Sequence, residues 1–225
     1  MELIRVCQLH KTFPGPGRPV EVLRGVDMEV APGEILTVVG ESGVGKTTLL
    51  YLLGAMERPS SGRVVFEGED LCRMSDEKRA RFRNKNVGFV FQFHFLIPEF
   101  TALENAAMPA MIAKHPREEA LDRARRLFEE FGIADRADHK PGELSGGEQQ
   151  RVAVARALIM KPKVVLADEP TGNLDHATGE RLMELFEHLN RESGLTFVIV
   201  THNERFAQRA PRCLRLVEGR AENAG

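Results

Sequence analysis

The sequence predicts an α/β protein with a mainly parallel core sheet, an N-terminal antiparallel β subdomain and an inserted α-helical subdomain. Short apolar runs rich in β-branched residues alternate with helical patterns, which is typical of strand–helix–strand units. The first thirty residues differ, because two extended segments there flank a turn rich in Pro and Gly. From about residue 93 to 160 the helical patterns dominate, which indicates an insertion into the α/β core.

The individual elements follow from local patterns. PGPGRP at residues 14–19 predicts the turn of an antiparallel hairpin, and residues 62–68 predict a second antiparallel piece. Helical periodicity is clearest at residues 120–131, before Gly132, and at residues 182–189, before Gly194. Buried strands are predicted at residues 35–39, 87–91, 164–167, 197–200 and 214–217.

These elements predict one domain spanning residues 1–225. The α/β core, with its antiparallel part, is expected at about residues 1–92 and 161–225. The helical subdomain is expected at about residues 93–160. No internal repeat or low-complexity tract interrupts this organisation.

Composition excludes several classes of protein. A hydrophobic content of 42% with 28% charged residues is ordinary for a soluble globular protein, and a net charge of −2 gives no basic field for nucleic acid. Cys7, Cys72 and Cys213 are widely spaced, which favours unpaired thiols over a disulfide framework or a cysteine metal site. Residues 1–5 lack the features of a signal peptide and no long apolar run follows, so we expect neither export nor a membrane span.

A phosphate-binding loop is predicted directly after the strand at residues 35–39. GESGVGKT at residues 40–47 matches G-x-x-x-x-G-K-[ST] and leads into an apolar helix at residues 48–53. Glycines suit this loop because its backbone N–H groups must approach phosphate oxygens closely. Lys46 is expected to reach the β- and γ-phosphates, and the Thr47 hydroxyl to ligate Mg²⁺. The predicted ATP-binding residues of the loop are Gly40, Glu41, Ser42, Gly43, Val44, Gly45, Lys46, Thr47 and Thr48.

Polar side chains follow three other predicted strands. Asp168 and Glu169 end the strand at residues 164–167, where Asp168 is expected to hold Mg²⁺ and Glu169 to orient or deprotonate the attacking water. Gln92 has an amide that can contact both Mg²⁺ and this water, and His202 can contact the γ-phosphate. Each could instead be an ordinary polar residue at a strand end. Ligands of open α/β sheets bind at the carboxyl ends of the strands, which favours a functional site here. The predicted catalytic residues are Gln92, Glu169 and His202. The predicted metal ligands are Thr47, Gln92 and Asp168.

A second anion-binding pattern lies about a hundred residues after the loop. In ELSGGEQQR, at residues 143–151, Ser145 and Glu148 form a capping-box pattern at the start of a helix. Gly146 and Gly147 leave the first-turn N–H groups uncovered, and the positive end of the helix dipole attracts phosphate. The alternative is a well-capped helix that binds no ligand.

Together these motifs resemble the ATP-binding subunits of ABC transporters over nearly the whole chain. In this resemblance GESGVGKT is the P-loop, Gln92 marks the Q-loop, LSGGEQQR is the signature, and residues 173–175, NLD, form the D-loop. The resemblance implies an ABC-type P-loop NTPase domain that hydrolyses ATP with Mg²⁺. It also implies a head-to-tail dimer, in which each signature helix contacts the ATP bound by the other copy.

The resemblance assigns further residues to this dimer. Residues acting on the partner's ATP are Ser145, Gly146, Gly147, Glu148 and Asp175. Phe13 falls where the family places an aromatic ring against adenine, although a core position is the alternative. Thr48 and Asn203 stand where the family more commonly has Ser and Asp, and neither change removes a required functional group.

A closer resemblance is to the LolD group, the ATPases of lipoprotein-releasing transporters. It rests on residues 91–105 and on LADEPTGNLD at residues 166–175. MacB-type efflux and FtsE-type cell-division ATPases remain alternatives. The resemblance implies two integral membrane permease subunits similar to LolC and LolE, and a peripheral position at the cytoplasmic face of the inner membrane, with membrane contact only through the permease. An apolar cluster is expected to receive a coupling helix of the permease or to pack in the core: Phe95, Leu96, Ile97 and Phe100.

Other ABC ATPases fit less well. Those that act on DNA carry a long coiled coil or zinc module between the P-loop and the signature, and only about a hundred residues separate Lys46 from Ser145. Those that act on ribosomes usually carry two such domains in one chain. A regulatory module without catalysis is disfavoured by Glu169 and His202. The sequence therefore predicts an ATP-driven transport subunit that binds no nucleic acid.

Overall fold

The computed structural model describes residues 2–223, which form two sheets flanked by helices. The strands are β1 (Ile4–Phe13), β2 (Val20–Val30), β3 (Ile35–Val39), β4 (Ser61–Phe66), β5 (Glu69–Asp70), β6 (Val87–Phe91), β7 (Val164–Asp168), β8 (Thr196–Thr201), β9 (Arg212–Val217) and β10 (Arg220–Asn223). The α-helices are α1 (Lys46–Leu53), α2 (Asp76–Asn86), α3 (Ala102–Ile112), α4 (Arg117–Glu130), α5 (Gly146–Leu158), α6 (His176–Ser193) and α7 (Glu204–Arg209).

The smaller sheet is antiparallel, in the order β2-β1-β4-β5. Its central strand β1 pairs Val6 with Met28 on one side and with Val64 on the other, and all three side chains are buried. Residues 14–19 connect β1 and β2, which confirms the predicted hairpin turn. The predicted piece at residues 62–68 lies mostly in β4, so the antiparallel subdomain is also confirmed.

The larger sheet has the order β10-β9-β3-β8-β7-β6, and every pairing except that of β9 with β10 is parallel. All residues of β3 and β8 are buried. Strands covered on both faces need continuous apolar sequence, which explains why the strand signal is strong. All five predicted strands are present, with ends that differ by at most two residues.

Two apolar cores cover the faces of the larger sheet. One face packs against α1 and the antiparallel sheet, with Leu49 and Leu50 fully buried. The other packs against the helices, where Phe186 of α6 stacks on Phe197 of β8 with ring centroids 4.9 Å apart. The sheet is therefore held rigidly between two layers, which fixes the positions of the strand ends.

The helices α3, α4 and α5 lie between β6 and β7, within the stretch where helical patterns dominate. Their first residue is Ala102, and residues 92–101 form a loop in which Phe95 has a left-handed φ of 48°. Among the helices of residues 2–223, none has the length and apolar character that a bilayer-spanning helix requires. The division of the chain into a core and a helical subdomain stays a prediction.

Helix α2 is not evident from the sequence pattern. Its sequence, DEKRARFRNKN, carries too few apolar residues to show a helical period, and only Arg79 and Phe82 are buried. The helix forms because Ser75 caps its first turn, with Asp76 and Glu77 near its N-terminus and Arg83 and Lys85 near its C-terminus.

Candidate functional site

A cleft of about 530 Å³ lies at the carboxyl ends of four neighbouring parallel strands, β3, β8, β7 and β6. Each of these strands supplies the residue or loop that follows it, so the order of strands in the sheet decides which side chains meet. The lining includes ten of the residues predicted from sequence: Ser42, Gly43, Gly45, Lys46, Thr47, Thr48, Gln92, Asp168, Glu169 and His202. Val22 of the antiparallel sheet completes the lining.

The loop between β3 and α1 wraps around the Lys46 ammonium group. Lys46 is only 8% exposed, and its Nζ donates to the carbonyl oxygens of Gly40 and Glu41 at 2.8 and 3.0 Å. Gly45 has a φ of 110°, and a Cβ there would approach Val22 to 2.9 Å. The loop therefore requires glycine at position 45, and it brings the amino end of α1 to the cleft, where backbone N–H groups attract anions.

Thr47 and Asp168 meet across the cleft, with the Thr47 hydroxyl donating to Asp168 Oδ1 at 3.1 Å. Burial raises the pKa of Asp168, as does the nearby Glu169, whereas the Thr47 hydrogen bond and Lys46 lower it. These hydroxyl and carboxylate oxygens, with the Gln92 amide in the same cleft, suit Mg²⁺, which takes few protein ligands and completes its shell with water and phosphate. Among residues 2–223, no group of three or more His, Cys, Asp or Glu side chains is arranged so that it could hold a metal ion.

Glu169 is held by the end of β8. Its backbone has a left-handed φ of 44°, and its N–H donates to the carbonyl oxygen of Val200 at 2.9 Å. The Thr201 hydroxyl donates to Glu169 Oε2 at 2.9 Å, and His202 Nδ1 lies 2.9 Å from Oε1. The Glu169 side chain is 14% exposed and the His202 side chain 69% exposed, so the carboxylate is enclosed while the imidazole is accessible.

Gln92 and Asn173 connect two loops at the edge of the cleft. Gln92 Nε2 donates to Asn173 Oδ1 at 3.3 Å, and Asn173 Nδ2 donates to the Gln92 carbonyl oxygen at 2.9 Å. The loop after β6 is thereby joined to the segment before α6. Asp175 ends this segment and caps α6 by accepting from the Thr178 N–H at 3.1 Å.

The second anion-binding pattern lies outside the cleft. Ser145 caps α5, its N–H donates to Glu148 Oε2 at 2.7 Å, and the Glu148 N–H donates to Ser145 Oγ at 3.3 Å. Arg136 Nε donates to Glu148 Oε1 at 2.6 Å. The Arg136 hydrogen bond, followed by those from Ser145, lowers the pKa of Glu148 to about 2. The predicted capping box is therefore confirmed.

Four residues of the signature, Ser145, Gly146, Gly147 and Glu148, do not line the cleft, and neither does Asp175. A Cβ added to Gly146 would have Leu174 Cδ2 as its nearest neighbour, 3.9 Å away, so this face of the helix is open. Within one chain the two predicted anion-binding features are separate.

Phe13 is half-buried at the end of β1, opposite Val20, with Lys11 Nζ 4.7 Å from its ring centroid. It does not line the cleft, so its contact with adenine stays a prediction. Gly40, Glu41 and Val44 shape the loop without lining the cleft.

Sequence reasoning missed two residues whose side chains hydrogen-bond to predicted site residues. Thr201 could have been suggested by its position at a strand end directly before His202. Arg136 gave no comparable signal, because it reaches Glu148 from a separate short 3₁₀ turn.

Comparison with known proteins shows the family of the chain. The family described as ABC transporter matches residues 23–172. The lipoprotein-releasing system ATP-binding protein LolD of Myxococcus xanthus is 51% identical over 224 residues, with 100% of both chains covered. The protein of the same name from Geobacter metallireducens is 54% identical, with 97% of both chains covered.

Solved structures lead to the same family. A dimeric ATP-binding cassette in a post-hydrolysis state, bound to ADP and Pi, has a TM-score of 0.90 at 37% identity, and the match covers 98% of this chain and 97% of that chain. The predicted fold, with its antiparallel β part, mainly parallel sheet and helices, is confirmed. The chain belongs to the ABC transporter family, and within it to the LolD family of lipoprotein-releasing system ATP-binding proteins.

Proposed function

We propose that this chain is the ATP-hydrolysing subunit of an ABC transporter that releases lipoproteins from the inner membrane toward the outer membrane. The observation that carries the ATPase assignment is the meeting of Lys46, the Thr47–Asp168 pair and Glu169 in one cleft. The lipoprotein cargo is inferred from relatives that are about half identical over the full chain and are named for that process.

In the proposed reaction the P-loop binds the triphosphate. Lys46 Nζ now bonds the carbonyl oxygens of Gly40 and Glu41, and it would exchange them for oxygens of the β- and γ-phosphates. Thr47, Asp168 and Gln92 would hold Mg²⁺, which supplies positive charge against the phosphate oxygens. A cation at this position would also compensate the buried charge of Asp168.

Glu169 is the proposed general base. Its carboxylate takes a proton from the water whose oxygen bonds to the γ-phosphorus, while the bond from that phosphorus to the bridging oxygen of ADP breaks. His202 is exposed enough to turn from Glu169 toward the γ-phosphate. Glu169 is enclosed and is anchored to β8 through its own N–H, so it stays in place while the imidazole moves.

The proposed active unit is a head-to-tail dimer. Two anion-binding features that lie apart in one chain can meet across two chains, with Ser145 and the Gly146–Gly147 N–H groups facing the partner's γ-phosphate. ATP offers this phosphate to both half-sites and ADP does not. The nucleotide state would therefore decide whether the dimer is closed or open.

The test of the ATPase mechanism is Glu169→Gln, assayed with the parent chain. We expect the variant to bind ATP and to form the dimer, which light scattering measures. Its rate of ATP hydrolysis should fall about 10²- to 10³-fold. Glu218→Gln is a matched control, because Glu218 is another glutamate with a left-handed φ, 47°, but lies exposed at the turn between β9 and β10. Near-normal hydrolysis by Glu169→Gln would contradict the assignment.

A surface beside the Q-loop is the proposed docking site of the permease. Phe95 and Ile112, which are 64% and 67% exposed, line a groove of about 330 Å³. Phe93, which is 63% exposed, lies beside Phe95. Leu96 instead packs against the core, so the predicted apolar cluster divides between surface and interior. An exposed apolar patch of this kind is typical of a protein interface.

We propose that two permease subunits similar to LolC and LolE bind this surface and hold the chain at the cytoplasmic face of the inner membrane. Affinity purification from the native membrane would identify the subunits. The purified complex, placed in liposomes loaded with a lipoprotein, is then expected to release it only with ATP. Co-purification of an efflux or cell-division membrane protein, without lipoprotein release, would favour the MacB-type or FtsE-type alternative.

A further inference from the structure

We propose that Thr201 is a positioning residue for ATP hydrolysis, which orients the Glu169 carboxylate through its side-chain hydroxyl. This inference rests on the proposed function, because it assumes that Glu169 acts on the attacking water. Thr201 is the last residue of β8 and is 2% exposed. It pairs in register with Val39, the last residue of β3, directly before the phosphate-binding loop.

The hydrogen bonds around Thr201 define the direction of its hydroxyl proton. The Asn203 N–H donates to Thr201 Oγ1 at 3.0 Å, so this N–H occupies one lone pair of the hydroxyl oxygen. The hydroxyl proton is then free to be donated to Glu169 Oε2, 2.9 Å away. Because an ionised carboxylate only accepts, Thr201 must be the donor of this bond.

The rigidity of Thr201 makes it suited to this role. A β-branched side chain in a strand has few accessible χ1 rotamers, and the full burial of Thr201 restricts it further. Glu169, by contrast, has several rotatable bonds and a strained left-handed backbone, with φ at 44°. The Thr201 hydroxyl and the Val200 carbonyl therefore anchor the carboxylate and the backbone of Glu169 to the same strand end.

The two oxygens of Glu169 have different neighbours. Oε2 faces the buried Thr201, whereas Oε1 faces His202, whose side chain is 69% exposed. When His202 turns toward the γ-phosphate, Oε1 becomes available to accept a proton from water while Oε2 stays bonded. Without the hydroxyl of Thr201, the carboxylate could rotate and the water would lose its oriented acceptor.

The test compares Thr201→Val with Thr201→Ser in the full-length chain, at a protein concentration where the specific activity of the parent has reached its plateau. Valine has nearly the shape of threonine but lacks the hydroxyl that bonds both Glu169 and the Asn203 N–H, and serine retains this hydroxyl. Hydrolysis is counted per bound ATP, so an unfolded fraction of either variant does not lower the measured rate. Thr37→Val is the matched control, since Thr37 is a buried threonine on the adjacent strand β3 whose hydroxyl has no partner among residues 2–223.

We expect Thr201→Val to lower kcat about 10- to 100-fold, the range of a lost hydrogen bond to a charged group. The KM for ATP should change less than about twofold, because Thr201 contacts Glu169 and not the nucleotide loop. Thr201→Ser should recover most of the lost rate, and Thr37→Val should retain the parent kcat.

Three results would overturn the inference: parent-like kcat in Thr201→Val, an equal loss in Thr201→Ser, or an equal loss in Thr37→Val. Glu169→Gln is assayed in the same series to separate this inference from the proposed function. If Glu169→Gln is inactive and Thr201→Val is fully active, only the role of Thr201 is rejected. If Glu169→Gln hydrolyses ATP normally, the proposed mechanism itself fails.

Discussion

The ion pair between Arg136 and Glu148 should stabilise the signature helix, and Glu148→Gln measures its contribution. Glutamine at this position can still accept the Ser145 N–H bond of the capping box, so the variant removes the charge and keeps the cap. Lowering the pKa of Glu148 from 4.5 to about 2 corresponds to a stabilisation of the folded chain by roughly 3 kcal/mol, before screening by solvent is considered. The side chains of Glu148 and Arg136 are 25% and 36% exposed, so we expect a loss of about 1 kcal/mol at neutral pH.

The pH dependence of this loss has a defined sign. The folded chain binds the Glu148 proton more weakly than the unfolded chain, so the stabilisation is complete above pH 4.5 and disappears as the pH falls from 4.5 toward about 2. Urea unfolding of the parent and the variant, at about pH 7 and about pH 3.5, gives the difference in the free energy of unfolding. This difference should shrink at the lower pH.

Glu104→Gln is a matched comparison, because Glu104 forms a second capping box with Thr101 and also pairs with an arginine, Arg117. Arg117 is 56% exposed, so this variant should lose less stability than Glu148→Gln. A Glu148→Gln chain as stable as the parent at neutral pH would refute the reasoning. So would a loss of the same size at both pH values.

Three further variants separate function from stability. Burial raises the pKa of Asp168 above its usual value of 3.8, so the ionised carboxylate destabilises the folded chain increasingly as the pH rises through that region. Asp168→Asn should therefore raise the free energy of unfolding at neutral pH while it abolishes Mg²⁺-dependent ATP hydrolysis. A variant less stable than the parent would contradict this prediction. Phe95 is exposed, so Phe95→Ser should change the free energy of unfolding by less than about 0.5 kcal/mol but reduce capture of the permease from membranes. Leu96 packs against the core, so Leu96→Ser should destabilise the chain. Unchanged capture by Phe95→Ser would argue against the docking surface.

The strands of the parallel sheet were predictable because burial on both faces demands continuous apolar sequence. The ends of α4 and α6 were predictable for a local reason as well, since Gly132 and Gly194 adopt left-handed φ values of 66° and 64° just after these helices. Helix α2 was not predictable from periodicity, because its stability depends on a cap and on charges rather than on an apolar stripe. Residues 92–101 form a loop, although the sequence predicted mainly helix from about residue 93. Their apolar composition alone does not distinguish a loop from a helix.

What the sequence by itself determined is the set of residues in the candidate site: the predicted phosphate-binding loop, the polar residues that follow the strands, and the capped signature helix. These are local patterns, in which each residue's chemistry and its immediate neighbours suffice. Tertiary structure alone decided which side chains contact one another in the site. It joined Thr201 to Glu169 and Arg136 to Glu148, and it left the signature outside the cleft of its own chain. Such contacts depend on the order of strands in the sheet and on the paths of loops, which are set by packing across the whole domain.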